Sequence, residues 1–313
     1  TGAADDRVLQ GPAYGEDTAA IRLDDGEGEG EGGVLVVNSD PISLAVERIG
    51  TLAVNVACND VAASGATPAF LTVVAFLPDP SEAAVDEVTR QLDAEARRRD
   101  VAIVGGHTET APALSTPLLV VTCFGLTDRY VPTAGARPGD RILVTKGAGV
   151  EATAILATDF RERLADRVPA WALAAGEACF DDVGVVEEAA LVAPDATAMH
   201  DPTEGGLFDG FLELAVASGV GLDVDARSIP VREETARLCR AAGVDPLRTF
   251  GSGALLATVP GAALDAVGDR LRDAGVEFAV VGTVREAGAE PFLSLSGERF
   301  TEPIRDEMYA LWE

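Results

Sequence analysis

The 313-residue sequence predicts a two-domain α/β protein, and three observations carry that prediction. Apolar stretches of strand length alternate with segments of helical period along nearly the whole chain. The length, with 47% of residues hydrophobic, suffices for one large core or two ordinary ones and favours two. A turn-rich link at 136–140 (ARPGD) separates the halves, which places the boundary between domains 1–138 and 139–313.

The first half opens with strands at 19–23 and 34–38, separated by a Gly/Glu run that is too polar to pack and reads as a solvated hairpin tip. Gly28, Gly30 and Gly33 there have G-x-G-x-x-G spacing. The interleaved glutamates would repel a pyrophosphate, and no strand-turn-helix surrounds them, so no dinucleotide site is expected. Residues 43–64 carry Leu44, Val46, Ile49, Leu52, Ala53, Val56 and Ala57 at helical period and stop at Gly65 and Pro68, with Asn59 and Asp60 in the last turns. A buried strand is expected over 69–77, an amphipathic helix over 81–99, and strands over 101–104 and 117–126. After the link and the strand 141–146, helices near 150–164, 170–179, 181–193, 205–218, 231–242 and 262–274 alternate with strands near 197–200, 221–225, 253–259, 276–284 and 291–295. No short-period repeat supports a solenoid.

Composition removes several function classes. The formal charge of −28 repels nucleic acid and anionic membranes, so neither is an expected partner. Lys146 is the single lysine among 24 basic residues, and with the acidic excess this resembles the proteins of salt-accumulating halophiles. Cys58, Cys123, Cys179 and Cys239 are far apart and read as small core residues. No long apolar run and no basic-then-apolar leader occur, which makes the cytoplasm the expected location. P-loop, zinc-hydrolase, zinc-deaminase and nucleophile-elbow patterns are absent.

Five segments combine glycine with a carboxylate or histidine at the end of an apolar element: YGEDTAAI (14–21), NSDPIS (38–43), NVACNDVAASGATP (55–68), VGGHTET (104–110) and HDPTEGGL (200–207). Singly each has an ordinary reading. Asp17 suits a turn, Asp40 before Pro41 a cap, and Asn59 and Asp60 the polar end of a helix. Together they suit a magnesium-nucleotide site, which needs oxygen ligands from several elements and amide groups able to approach phosphates. Both histidines, His107 and His200, fall in these segments and are as compatible with loop hydrogen bonding as with chemistry.

In this order and spacing the five segments resemble the superfamily of AIR synthetase, HypE, thiamine-monophosphate kinase and selenophosphate synthetase. HDPTEGGL, followed by IPVREET (229–235) and DPLRTFGSGALLATV (245–259), is most similar to HypE. The resemblance implies a two-domain AIR synthetase-like fold with a C-terminal α/β sandwich. It also implies N-terminal domains that pair as a homodimer around a β-barrel, in keeping with apolar strands at 34–37, 69–77 and 117–124 that alternate poorly and are expected to be buried on both faces. ATP with Mg²⁺ would lie between the domains. Asp17, Asp40 and Asp60 become expected magnesium ligands. Asn59, Gly105, Gly106, Thr108, Gly147, Gly149, Asp201, Thr203 and Gly205 become nucleotide-lining residues, and His107 and Glu204 candidate proton carriers.

Departures from the pattern narrow the reaction. His107 stands where the family has an acidic residue, which makes Glu109 a substitute ligand, and Glu204 stands where HypE has arginine. HypE acts on a group carried by its own C-terminal cysteine, whereas the last thiol here is Cys239, so that self-modification is not expected of the chain as written. The expected activity is attack of a substrate oxygen on the ATP γ-phosphate, with a hydrogenase-maturation context and an unidentified acceptor. A thiamine-monophosphate-type kinase and a non-catalytic ATP-binding partner in a maturation complex are the alternatives.

Overall fold

Burial that alternates residue by residue along three neighbouring strands sets the architecture of the first part of the chain. The computed structural model describes residues 4–23, 33–79 and 81–313, so the glycine loop with Gly28 and Gly30 lies outside the described residues. The chain divides into two units. One takes in the chain up to Ala13 and Asp17–Tyr130, the other Tyr14–Glu16 and Val131–Glu313.

In the first unit, β1 (Val8–Gln10), β2 (Ala19–Arg22), β3 (Val34–Ile42), β4 (Thr67–Leu77), β5 (Ala102–Thr110) and β6 (Leu118–Thr127) form one sheet of order β1-β2-β3-β6-β4-β5. Its pairings are antiparallel except β4 with β5. Helix α1 (Ile49–Ala63) packs on β3 and β6, with α2 (Glu82–Arg98) against it. Val36, Asn38, Leu71, Val73, Leu119, Val121 and Cys123 are buried, while Phe70 and Leu126 are exposed. The strands therefore alternate, with one face covered within the chain and the other partly open, and are not buried on both faces. The sheet is open, not a closed barrel, because among the described residues β1 pairs only with β2 and β5 only with β4.

Every residue of α1 is buried. Two hydrogen bonds tie it to α2: Gln91 accepts from Gly50 N–H at 2.9 Å, and Asn55 donates to Glu95 at 2.9 Å. A side chain at Gly50 would put its Cβ 2.8 Å from that of Gln91, so glycine permits the close approach of the two helices.

The second unit adds β7 (Arg141–Thr145), α3 (Val150–Thr158), α4 (Arg161–Leu164), α5 (Ala170–Ala178), α6 (Val186–Val192), β8 (Ala198–His200), α7 (Gly206–Ser218), β9 (Val220–Val224), α8 (Glu233–Ala242), β10 (Leu256–Val259), α9 (Leu264–Asp273), β11 (Phe278–Glu286), β12 (Phe292–Leu295) and β13 (Glu298–Phe300). Seven strands form a second sheet in the order β13-β12-β9-β11-β7-β10-β8. Leu207, Phe208, Phe211 and Leu212 of α7 join Ile142, Val144, Leu222, Leu256 and Val281 of the sheet in one core. The architecture is thus a mixed α/β fold with two sheets. No helix among the described residues is long and apolar enough to cross a membrane.

Candidate functional site

Two of the three expected magnesium ligands meet at one side chain. Asn38 and Asp40 lie two apart on β3 and so share a face, the one covered by α1. Asn38 Nδ2 donates to Asp40 Oδ2 at 2.8 Å and to Asp60 Oδ2, on α1, at 2.7 Å. Its Oδ1 accepts from the Cys123 N–H of β6 at 3.3 Å. Asp60 is 4% exposed and Asn59 fully buried, so the pair is not a solvated helix end. Ser64 N–H donates to the Asp60 carbonyl at 3.1 Å, which puts Asp60 in the last turn, where the helix dipole disfavours a carboxylate. Below the pair, contact with Cys58, burial and the Asp60 charge hold the Cys123 thiol well above the ordinary thiol range.

Asp17 is exposed, but its neighbour Thr18 places Oγ1 2.8 Å from the hydroxyl of Ser64, the C-cap of α1. The 17–18 segment is thereby tied to the Asp60 end of that helix. Among the described residues no group of three or more His, Cys, Asp or Glu is close enough to hold a metal alone. Two carboxylates suffice for Mg²⁺, which takes hard oxygen donors and commonly draws its remaining ligands from water and phosphate. The Asp40–Asp60 donor set fits that ion.

Gly105, Gly106, His107 and Thr108 do not form a turn after a short strand. They lie within β5, which runs through the whole VGGHTET segment. Gly106 has φ +153°, and a Cβ there would fall 2.0 Å from the Val73 carbonyl oxygen. The register Asp40–Val121–Val73–Gly106 crosses the sheet, so Gly106 stands three strand spacings, roughly 14 Å, from Asp40. The exposed His107, one residue further on, is therefore not brought to the carboxylate pair within this unit. It borders instead a cavity of about 510 Å³ between β5 and α2, walled by Val73, Val85, Val88 and Leu92.

In the second unit, Gly205 and Gly206 both have positive φ and turn the HDPTEGGL segment into α7. Gly205 N–H donates to Asp306 Oδ2 at 2.8 Å, and Thr203 carbonyl accepts from Gly206 and Gly251 N–H at 3.1 and 3.0 Å. Asp201 is buried, and the exposed Glu204 accepts from the Tyr309 hydroxyl at 3.3 Å. Gly149, in the left-handed region, caps α3. The N–H groups of Glu151 and Ala152 in its first turn donate to the carbonyls of Ser252 and Phe250, each at 3.2 Å. The chain's own oxygens thus hold several amides that the sequence offers to phosphate. Gly147, φ +113°, passes so near Pro230 that a Cβ would lie 2.4 Å from its carbonyl oxygen. His200 is buried with Nε2 2.9 Å from Glu213 Oε2 on α7, an internal pair.

Acidic groups here repel one another in a dry setting. Full burial, opposed by hydrogen bonds from Ser252 and aided by the charges of Asp201 and Asp306, pushes Glu151 up to about 8. Burial likewise raises Asp306 to about 6 despite the N–H groups of Met308 and Gly205, and raises Asp209 to about 6. Burial and the nearby Glu204 lift Tyr309 to about 12.

Sequence reasoning missed Asn38, Glu151 and Asp306. The period of two along β3 was a usable signal for Asn38, and a lone glutamate in the apolar run 148–157 a usable signal for Glu151. Nothing local marks Asp306, whose partner Gly205 is 101 residues away.

The profiles described as AIR synthase related protein, N-terminal and C-terminal domain, match residues 15–127 and 137–292. The hydrogenase expression/formation protein HupE of Azotobacter chroococcum mcd 1 is 32% identical over 278 residues, covering 85% of this chain and 79% of that protein. The carbamoyl dehydratase HypE of Azotobacter vinelandii is 31% identical over 251 residues, covering 78% and 72%. A crystal structure of the hydrogenase maturation protein HypE in complex with ATP superposes with a TM-score of 0.72 at 25% identity, covering 91% of this chain and 88% of that one. With both domain profiles matched and relatives of this identity across most of its length, the chain belongs to the AIR synthase-related family, a family of enzymes that includes the similar HypE proteins.

Proposed function

We propose that this protein binds ATP with Mg²⁺ and uses the γ-phosphate to phosphorylate or activate an oxygen of its substrate. The observation that carries the reading is the convergence of the partly buried Asp40 and the buried Asp60 on one buried amide, which ordinary packing does not require. The HypE relative with bound ATP supports the nucleotide. Mg²⁺, when bound, supplies charge neutralisation at the phosphates. Asp40 and Asp60 would hold it, with Asp17 as a further ligand from the segment tied to α1. By the family resemblance Asn59, Gly105, Gly106, Thr108, Gly147, Gly149, Asp201, Thr203 and Gly205 would line the nucleotide and Glu204 or His107 would move the substrate proton, although β5 sets Gly106 and His107 apart from Asp40 within the first unit. The open face of the first sheet, with Phe70 and Leu126 exposed, favours a homodimer. The acceptor is a small molecule or a group carried on a protein, and a structure of a HypE–HypF complex adds a protein partner to the reading.

Calorimetric titration of ATP with and without magnesium, in high potassium chloride, tests the reading on wild type and Asp60→Asn. Magnesium-dependent affinity should fall at least tenfold in the variant, about 1.4 kcal/mol. Equal affinities would remove the site.

A further inference from the structure

We infer that Asn38 is a positioning residue that holds the Asp40 and Asp60 carboxylates ready for a shared divalent cation. The inference rests on the proposed cation role of that pair and concerns a residue outside it.

Three hydrogen bonds define the role. The two amide hydrogens of Asn38 are spent on two different carboxylates, at 2.8 and 2.7 Å, and the amide oxygen is held by the Cys123 N–H. That last bond fixes which way the amide faces, because a backbone N–H can be met only by Oδ1. With the side chain 3% exposed and its donors and acceptor all engaged, the amide has no second orientation that keeps its partners. The Asp40 and Asp60 oxygens that share one nitrogen are within twice a hydrogen-bond length of each other. Two carboxylates so close, one buried and one partly buried, repel each other, and a neutral double donor between them offsets that repulsion without itself being a metal ligand.

The chemistry selects asparagine. Serine offers one hydrogen where two are used, aspartate would add a third negative charge, and leucine would leave both carboxylates without this donor. A carboxylate has about four acceptor positions, so accepting one amide hydrogen does not by itself bar it from a cation. Asn38 therefore stands to the carboxylates as outer-sphere hydrogen-bond partners stand to metal ligands elsewhere, where their loss weakens metal binding by about 10- to 100-fold.

The test uses Mn²⁺ as the probe, titrated by electron paramagnetic resonance with and without a non-hydrolysable ATP analogue. It is run on wild type, Asn38→Ala and Asn38→Asp, with circular dichroism as the check on folding. Asn38→Ala should bind Mn²⁺ at least tenfold more weakly than wild type. Asn38→Asp keeps the shape and the acceptor for Cys123 N–H, so it should melt below wild type in EDTA and regain the difference on adding Mg²⁺, a response that a packing role alone would not produce. Folded Asn38→Ala with wild-type Mn²⁺ affinity, or Asn38→Asp with wild-type melting in EDTA, overturns the positioning role while leaving the cation site standing. A wild type that binds no Mn²⁺ under either condition overturns the cation site itself, and the inference with it.

Discussion

The Lys146 ammonium lies 2.6 Å from Glu188 Oε1 and donates to the carbonyls of Asp182 and Gly184, each at 2.7 Å. Three oxygens around one nitrogen suit a compact ammonium with three donors, whereas a planar guanidinium spreads its donors over a fork. This is the one basic position in the chain that is not arginine, and it fastens the 182–188 segment to the end of β7.

Lys146→Arg should therefore destabilise the protein even though charge is kept, by about 1–3 kcal/mol, because the larger head leaves buried acceptors unmatched. Chemical denaturation in high potassium chloride measures it. A midpoint unchanged from wild type would show that the site needs only a positive charge.

Stability should fall as pH rises from about 4.5 to about 8. Glu151 binds its proton more tightly folded than unfolded, so its contribution is fully present at low pH and is lost as pH climbs through the folded value. Asp209 and Asp306, raised to about 6, add a fall of the same sign at lower pH. Glu151→Gln keeps an acceptor for Ser252 N–H and should be more stable than wild type at pH 9, on the order of a few kcal/mol, with the gain vanishing near pH 4. A pH-independent difference in melting temperature would contradict the assignment.

Gly106→Ala should unzip β5 from β4. Its Cβ has no place beside the Val73 carbonyl, so the strand must move, at a cost of about 1–3 kcal/mol. Hydrogen exchange should show lost protection in 102–110 and the facing amides of β4, with the second unit unchanged. Wild-type protection of β5 would mean that the strand tolerates the side chain.

The melting temperature should rise with potassium chloride, because the self-repulsion of a net charge of −28 is screened as the Debye length falls from about 10 Å at 0.1 M to about 3 Å at 1 M. A flat or falling curve between those concentrations would reject the electrostatic account.

Much of the fold is legible in the sequence because its elements bury one face each. Helix α1 was readable from Ile49, Leu52, Ala53 and Val56, and β4 from its apolar run. The strand β5 was legible only to 104, since Gly-Gly-His-Thr-Glu-Thr has neither a strand's alternation nor β-branched density. Its strand form comes from parallel pairing to β4, a tertiary cause. A helix expected over 150–164 is broken at Phe160 into α3 and α4, and β13 and the turn Glu307–Leu311 carry no periodic signal. At the site, the carboxylates were visible as residue types, but their bridging by Asn38 depends on how α1 seats on β3, which no local pattern encodes.

Glu16 accepts from the N–H groups of Thr133 and Ala134 at 3.3 and 2.9 Å, and with Tyr14 and Gly15 it belongs to the second unit although it precedes nearly all of the first. The chain consequently passes between units three times, and the halves are stitched, not modular. A recombination event that exchanged everything after residue 130 would inherit a second unit missing an acceptor encoded 117 residues upstream. A second unit moved alone by simple end-to-end fusion would thus leave behind the acceptor of its own first N–H groups.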